Sequence, residues 1–332
     1  MKPFAAAVTV LGAFFATAAV PLPLLEFLQQ RWGFPTGLLT LAFAVYALSL
    51  LATLLVAGSL SDRAGRRPVL LAACSLQAAV CIVFLTAGSV WWIVGARVLQ
   101  GTATGLASSC LSAVVAETVP AGRERLAAVA SGSAPLAGLT VGAVAAGLAG
   151  AWTARPVAWM FFPLLLIFAA VAVFSRLMPE TAPGRASAAP SAGWHPRVGV
   201  PGTVRREFWS GVPMAVATWS LGGLYLALAP AIVQQAFGLN GTSIGGAAIG
   251  LLTGAGAIIP AAARAIPPRA VAVAANLAML TGIAAALAAI GVHSIALFLA
   301  ASAVGGAGFG TRFSSWLRLL IPGVAPAERT RF

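Results

Sequence analysis

Long apolar runs separated by short polar turns constrain this chain more than any other feature. A bilayer core of about 30 Å is crossed by roughly 20 helical residues. Ten runs meet that need, at 4–25, 38–58, 69–87, 90–117, 126–151, 156–178, 210–234, 243–262, 270–290 and 294–321. The chain is 60% hydrophobic and 8% charged, with a mean hydropathy of +0.96, which leaves too little polar surface for a soluble domain. In hydrocarbon every backbone polar group must find a partner inside the protein, so the expected fold class is an all-α integral membrane protein.

A net charge of +13 over 332 residues is the kind of footprint that nucleic-acid binding leaves. Its placement points elsewhere. With the N-terminus in the cytoplasm, fifteen basic residues from Lys2 to Arg331 fall on the inner side and only Arg31 and Arg155 on the outer side. That asymmetry is what the positive-inside rule expects, so the charge reports topology and no nucleic-acid partner is expected. Trp32, Trp91, Trp92, Trp152 and Trp159 mark outer ends of spans and Trp209 an inner end, where an indole N–H stays at the wet headgroup level. Cys74, Cys81 and Cys110 lie inside spans and read as small apolar packing residues. The first span is too long for a signal peptide and leads directly into another span.

The densest charge cluster is Gly58-Ser59-Leu60-Ser61-Asp62-Arg63-Ala64-Gly65-Arg66-Arg67, with four ionised side chains within six residues. Such a cluster cannot sit in hydrocarbon, so a water-exposed cytoplasmic turn between the second and third spans is expected. The pattern G-x-L-x-D-R-x-G-R-R resembles the signature loop between helices two and three of the major facilitator superfamily of secondary transporters. Arg97-Val98-Leu99-Gln100-Gly101 in the fourth span, R-x-x-Q-G, resembles that family's second signature. The fifth span carries Gly132, Pro135, Gly138, Gly142, Gly147 and Gly150, a partial match to a third signature found in drug–proton antiporters, with Ala134 where that signature has glycine. Small residues four apart, such as Gly138 and Gly142, equally describe close helix packing in membranes.

The resemblance implies two bundles of six helices. Residues 1–178 hold six spans, 179–209 form a cytoplasmic linker rich in proline, and 210–332 hold four spans. Gly306, Gly310, Ser314, Ser315 and Pro326 of the last span loosely repeat Gly101, Gly105, Ser108, Ser109 and Pro120 of the fourth, which aligns span ten with span four. Two further helices are then missing relative to the family, and the expectation is a chain that stops after the tenth.

An Arg near the bilayer centre costs about 2.5–3.5 kcal/mol on insertion scales, so Arg97 should face a cavity or a partner. In proton-driven members the resemblance implies an Arg that, with Gln100 and Gly101, helps couple proton movement to substrate movement. The alternative is a structural donor to backbone carbonyls of neighbouring helices. By the same resemblance Asp62 holds an inward gate shut through the N-terminal dipole of an eleventh helix. Without that helix its partners would be Arg63, Arg66 or Arg67, with Glu117 completing a charge network. Gly58 and Gly65 would permit the tight turn.

Proton coupling generally needs a titratable group in the membrane. Of the seven acids, Glu26 at the outer end of the first span is the one that could face a cavity, an interfacial surface acid being the other reading. Thr17, Tyr46, Gln100, Trp219, Tyr225 and Trp316 are the remaining cavity candidates, each also readable as packing. A cavity so lined would be apolar and aromatic with one cation, suited to lipophilic or anionic molecules.

No paired carboxylates, His or Cys cluster or G-x-S-x-G turn is present, so no enzyme, metal or cofactor is expected. The expected function is secondary active transport of small molecules. By resemblance it is proton-coupled efflux of lipophilic or drug-like compounds by alternating access, with the bilayer, the substrate and protons as partners. Other readings are a non-transporting relic or membrane scaffold, and an uptake symporter for a small nutrient. A bacterial cell membrane is the expected location, since Lys2 is the only lysine among 20 basic residues and the Ala and Gly content suits a GC-rich coding bias.

Overall fold

A backbone N–H or C=O left unpaired in hydrocarbon costs several kcal/mol, so the helix is the local solution open to each apolar run. The computed structural model describes residues 2–120, 124–176, 205–239 and 242–320. In chain order these form α1 (Lys2–Ala19), α2 (Pro21–Trp32), α3 (Gly37–Ala64), α4 (Arg66–Thr86), α5 (Val90–Thr118) and α6 (Glu124–Trp152). They continue through α7 (Pro156–Ser175), α8 (Arg205–Phe237), α9 (Thr242–Ala262), α10 (Pro268–Gly291) and α11 (Ile295–Leu320). α1 and α2 join into a single crossing, Pro3–Trp32, so the described residues make ten membrane crossings.

The crossings coincide with the ten expected spans, and the differences lie at their ends. α3 continues seven residues past its membrane-crossing part, Gly37–Ala57, to Ala64, so most of the Gly58–Arg67 cluster is helical and the turn is Gly65 alone. A helix whose N–H groups are already paired has no reason to stop at the membrane surface. α2 runs on to Trp32, where Gly33 closes it in the left-handed region and donates its N–H to Gln29 O at 2.8 Å. α8 begins at Arg205, inside the segment expected to be linker, and residues 177–204 lie outside the described residues.

Burial does not follow hydropathy. α7 is the most apolar crossing and only 11% of its window is buried, whereas α5, among the least apolar, is 56% buried. A bilayer solvates leucine as well as a protein core does, so polarity and small size decide which helices go inside. α5 packs against α1, α3 and α4, α4 also against α7, and α1 against α6. Two apolar clusters fill the first seven helices, one around Phe14, Cys74, Cys110 and Phe168, the other around Leu24, Cys81, Phe84 and Phe161. Phe84 and Phe161 stack with centroids 4.3 Å apart. A third cluster takes Ala19, Leu22 and Ala143 together with Tyr225, Ile249, Leu252 and Phe298, and so joins the early helices to α8–α11.

That junction is uneven. α6 and α9 are in close contact for about 20 Å of depth, from Ser133 Oγ donating to Ala257 O at 3.3 Å, through Thr140 and Thr253 hydroxyls 2.8 Å apart, to Thr242 Oγ1 donating to Gly147 O at 3.4 Å. Between α3 and α8 contact is sparse.

Small residues set these approaches. A Cβ added at Gly142 of α6 would lie 2.9 Å from Ala16 Cα and 2.7 Å from its carbonyl carbon on α1, whereas one added at Gly132 would meet nothing within 4 Å. We therefore expect Gly142→Ala to destabilise the fold by about 1–3 kcal/mol, the usual range for overpacking. Gly132→Ala should leave the melting temperature of the detergent-purified chain unchanged or raised, and equal melting of the two variants would contradict the contact.

Candidate functional site

The first crossing is broken by Pro21 and Pro23. A helical N–H at position i donates to the carbonyl at i−4, and proline has no N–H, so the carbonyls of Thr17 and Ala19 lose their donors. α1 ends at Ala19 and α2 starts at Pro21. Polar side chains of α5 enter at this break. Gln100 Nε2 donates to Thr17 O at 3.0 Å. Arg97 Nη1 donates to Ala18 O at 2.9 Å and to Gln100 Oε1 at 2.7 Å, and its Nε donates to Ala42 O of α3 at 3.2 Å. The guanidinium also lies 4.2 Å from the Tyr46 ring centroid, a buried cation–π contact.

Arg97 is 1% exposed and Gln100 fully buried. The pair donates to backbone carbonyls of neighbouring helices, and neither residue lines the void or the groove described below. Thr17 and Tyr46, expected as cavity residues, lie in this layer, and Thr17 Oγ1 donates back to Ala13 O at 2.8 Å. Gly101 serves the same contact. A Cβ there would collide with Ser49 Oγ and Tyr46 O, so only glycine lets α5 approach α3 closely enough for Arg97 to reach Ala42.

At the other charged locus Gly65 has φ 98°, a conformation that side-chain-bearing residues rarely adopt, and this lets α4 start one residue after α3 ends. Arg66 Nη2 meets Glu117 Oε1 at 3.0 Å, which ties the start of α4 to the end of α5. The Arg66 carbonyl accepts from Cys110 Sγ at 3.2 Å. Arg67 is exposed. Gly58, Asp62 and Arg63 lie on the last turns of α3, and their side chains are outside the described residues, as is any gate built on Asp62.

Glu26 lies deeper in its helix than the sequence suggested and lines a void. Because α2 continues to Trp32, Glu26 sits within the helix and is only 2% exposed. Its Oε2 is buried and, among the described residues, has no hydrogen-bond partner. It lines a small void with Leu22, Leu25, Leu39, Phe43, Ala227, Pro230 and Ala231, drawn from α2, α3 and α8. The ionisable residue lining the void where early and late helices meet is thus Glu26.

Beside that void lies a groove of about 690 Å³ between α3 and α8, within the size range of small-molecule sites. Trp219 lines it and packs edge-on against Phe309 with centroids 5.6 Å apart. Tyr225 and Trp316 do not line it. Tyr225 accepts from Ser302 Oγ at 3.2 Å and stacks on Phe298, and the Trp316 indole packs over Gly211. Phe43 and Ala227 border both the void and the groove. Sequence reasoning missed them because an aromatic and an alanine in apolar helices give no sign of what they face. Two polar residues were also missed, Gln77, fully buried on α4, and Arg312, half-buried within the α11 crossing. The intramembrane charge that singled out Arg97 would have found Arg312.

Comparison with known proteins agrees with this architecture. A family model described as Major Facilitator Superfamily matches residues 4–331. No curated protein matches the sequence. The human organic anion transporter MFSD10 (TETRAN) superposes with a TM-score of 0.63 at 20% identity, covering 99% of this chain and 93% of that one. A bacterial homologue of the human lysosomal transporter Spinster, inward-facing and unoccupied, gives 0.70 at 15% identity, covering 99% and 76%. A mutant of the nucleoside transporter NupG gives 0.70 at 11% identity, covering 99% and 85%. At these identities the likeness is one of fold.

The proline-break geometry can be tested by a double-mutant cycle. Gln100→Ala removes the donor to Thr17 O and should cost about 1–3 kcal/mol, the penalty of a buried orphan carbonyl. Pro21→Ala restores an N–H four residues on, so the pair together should recover part of that loss in thermal unfolding. Strictly additive losses would mean that Gln100 does not serve the break.

Proposed function

Because the chain belongs to the major facilitator superfamily, and is thus a multi-pass membrane transporter of small molecules and not an enzyme, we propose that it is a proton-coupled exporter of lipophilic compounds in which Glu26 carries the proton. The single observation behind this is the buried carboxylate of Glu26, unpartnered at Oε2, where α2 and α3 meet α8. A carboxylate in such a place needs a positive charge to compensate it, and a proton and a cationic group are interchangeable in that role. Exchange of the two is the elementary step of antiport.

In this reading residues 1–178 and 210–332 move against each other as two bundles joined by 179–209. The close α6/α9 seam acts as the axis and the sparse α3/α8 side opens. Arg97, Gln100 and Gly101 keep the first bundle rigid around its proline break, so their part in coupling is to position α2 and hence Glu26. Gly65 and the Arg66–Glu117 pair hold α4 against α5, and Asp62 with Arg63 would act at the same end as a gate. The basic end, with Lys2, Arg66 and Arg67, faces the cytoplasm of a bacterial cell, as the positive-inside rule directs.

The test is dye movement in vesicles containing the 332-residue chain. Accumulation driven by an imposed pH gradient is expected for the wild type, abolished by a protonophore. Glu26→Gln should lose gradient-driven accumulation by at least tenfold while retaining downhill exchange. Unchanged gradient dependence in Glu26→Gln would rule out Glu26 as the proton carrier.

A further inference from the structure

We propose that α1–α7 hold two separately cooperative packing units, stacked along the membrane normal and divided by a polar layer, so that one unit loosens while the other stays packed. This goes beyond the export reading and stands without it.

The two apolar clusters of these helices do not interleave. The first crossing gives Phe14 to the Phe168 cluster and Val20 to the Phe161 cluster. On α4 the change falls between Cys74 and Val80, on α5 between Ala103 and Ala96, and on α6 between Ala134 and Ala146. On α7 it falls between Phe168 and Phe161 themselves. Each of these crossings changes cluster once along its length.

A polar residue or a proline stands at every change. Thr17 lies there on the first crossing, next to the proline break, with Gln77 on α4, Arg97 and Gln100 on α5, Thr140 on α6 and Pro163 on α7. The hydrogen bonds of Arg97 and Gln100 run sideways, to Thr17, Ala18 and Ala42, and so join helices within the layer. Gln77 is fully buried and, among the described residues, neither of its amide atoms has a hydrogen-bond partner. An apolar residue of that size would carry packing from Cys74 to Cys81 along one face of α4 without the cost of an unmet amide. Pro163 removes the N–H that would hold the Trp159 carbonyl and lets α7 bend at the same boundary. Leu164, the next residue, touches both clusters and is the bridge between them.

Helix halves that part in a bilayer are met by lipid, so their backbone hydrogen bonds persist and only side-chain packing is lost. Such loosening spreads as far as the packing is continuous. Here continuity ends at the polar layer. Leu25 and Leu39 of the Phe161 unit also line the void beside Glu26, so loosening of that unit changes the enclosure of the carboxylate while the Phe168 unit stays packed.

The native cysteines report on the two units. All three are fully buried, Cys81 in the Phe161 unit and Cys74 and Cys110 in the Phe168 unit. The experiment is N-ethylmaleimide labelling of the full chain in lipid nanodiscs, followed at each cysteine by peptide mass spectrometry. Phe161→Ala should speed labelling of Cys81 about tenfold or more and leave Cys74 and Cys110 within about twofold of wild type, and Phe168→Ala should do the reverse. Phe161→Leu and Phe168→Leu carry the same contrast at smaller amplitude should an alanine variant not fold. Gln77→Met should raise the melting temperature and join the units, so that Phe161→Ala in that background speeds all three cysteines. Acceleration of all three by either substitution in the otherwise native chain, or of none by either, would overturn the proposal. So would a Gln77→Met background in which Cys81 still responds alone.

Discussion

Hydrocarbon offers no hydrogen-bond partner, so the carbonyls freed where Pro21 and Pro23 interrupt the first crossing must be met by the protein. Gln100 of α5 meets that of Thr17 and Arg97 the adjacent carbonyl of Ala18, and the consequences spread through the bundle. To reach both Ala18 and Ala42, α5 must lie between α1 and α3 at one depth and one rotation. To lie that close to α3 it must present Gly101 to Tyr46 and Ser49. One polar layer thereby fixes the register of three helices whose apolar surfaces alone would slide, since leucine against leucine is as well satisfied by lipid as by protein.

The same layer takes up the Arg97 cation. The guanidinium gives its Nε and Nη1 donors to the Ala42 and Ala18 carbonyls and to the Gln100 side chain. The contact between early and late helices is left with the opposite charge, the carboxylate of Glu26. The helices around it are held unequally. α6 and α9 are joined by hydroxyls and by glycines that admit backbone to backbone, while α3 and α8 face each other across a groove.

Much of this was legible beforehand, and the reasons differ by residue. The ten crossings were readable because length and hydropathy are local properties and the bilayer imposes a fixed thickness. The family was readable because its signatures are contiguous, as in Gly58–Arg67 and Arg97–Gly101, and the family match over residues 4–331 agrees. Helix ends were less so. The charges of Asp62 and Arg63 suggested a turn, yet a charged helix can project into water, and the single strained residue that ends the run is Gly65. For Arg97 the sequence offered two roles and could not choose, because the choice depends on carbonyls 55 and 79 residues away in the chain.

By itself, the sequence determined that the chain is an all-helical membrane protein, how many times the described part crosses, and which residues are costly enough in a bilayer to need a reason. Those conclusions follow from the free energy of placing each segment in hydrocarbon, which needs no knowledge of its neighbours. Tertiary structure alone decided that Gln100 and Arg97 of α5 dock at a proline break, that Glu26 is enclosed, and that Phe43 borders both its void and an apolar groove. Each of these depends on which helix faces which, and in a membrane that is settled by hydrogen bonds and close packing between segments distant in sequence, where hydropathy is silent.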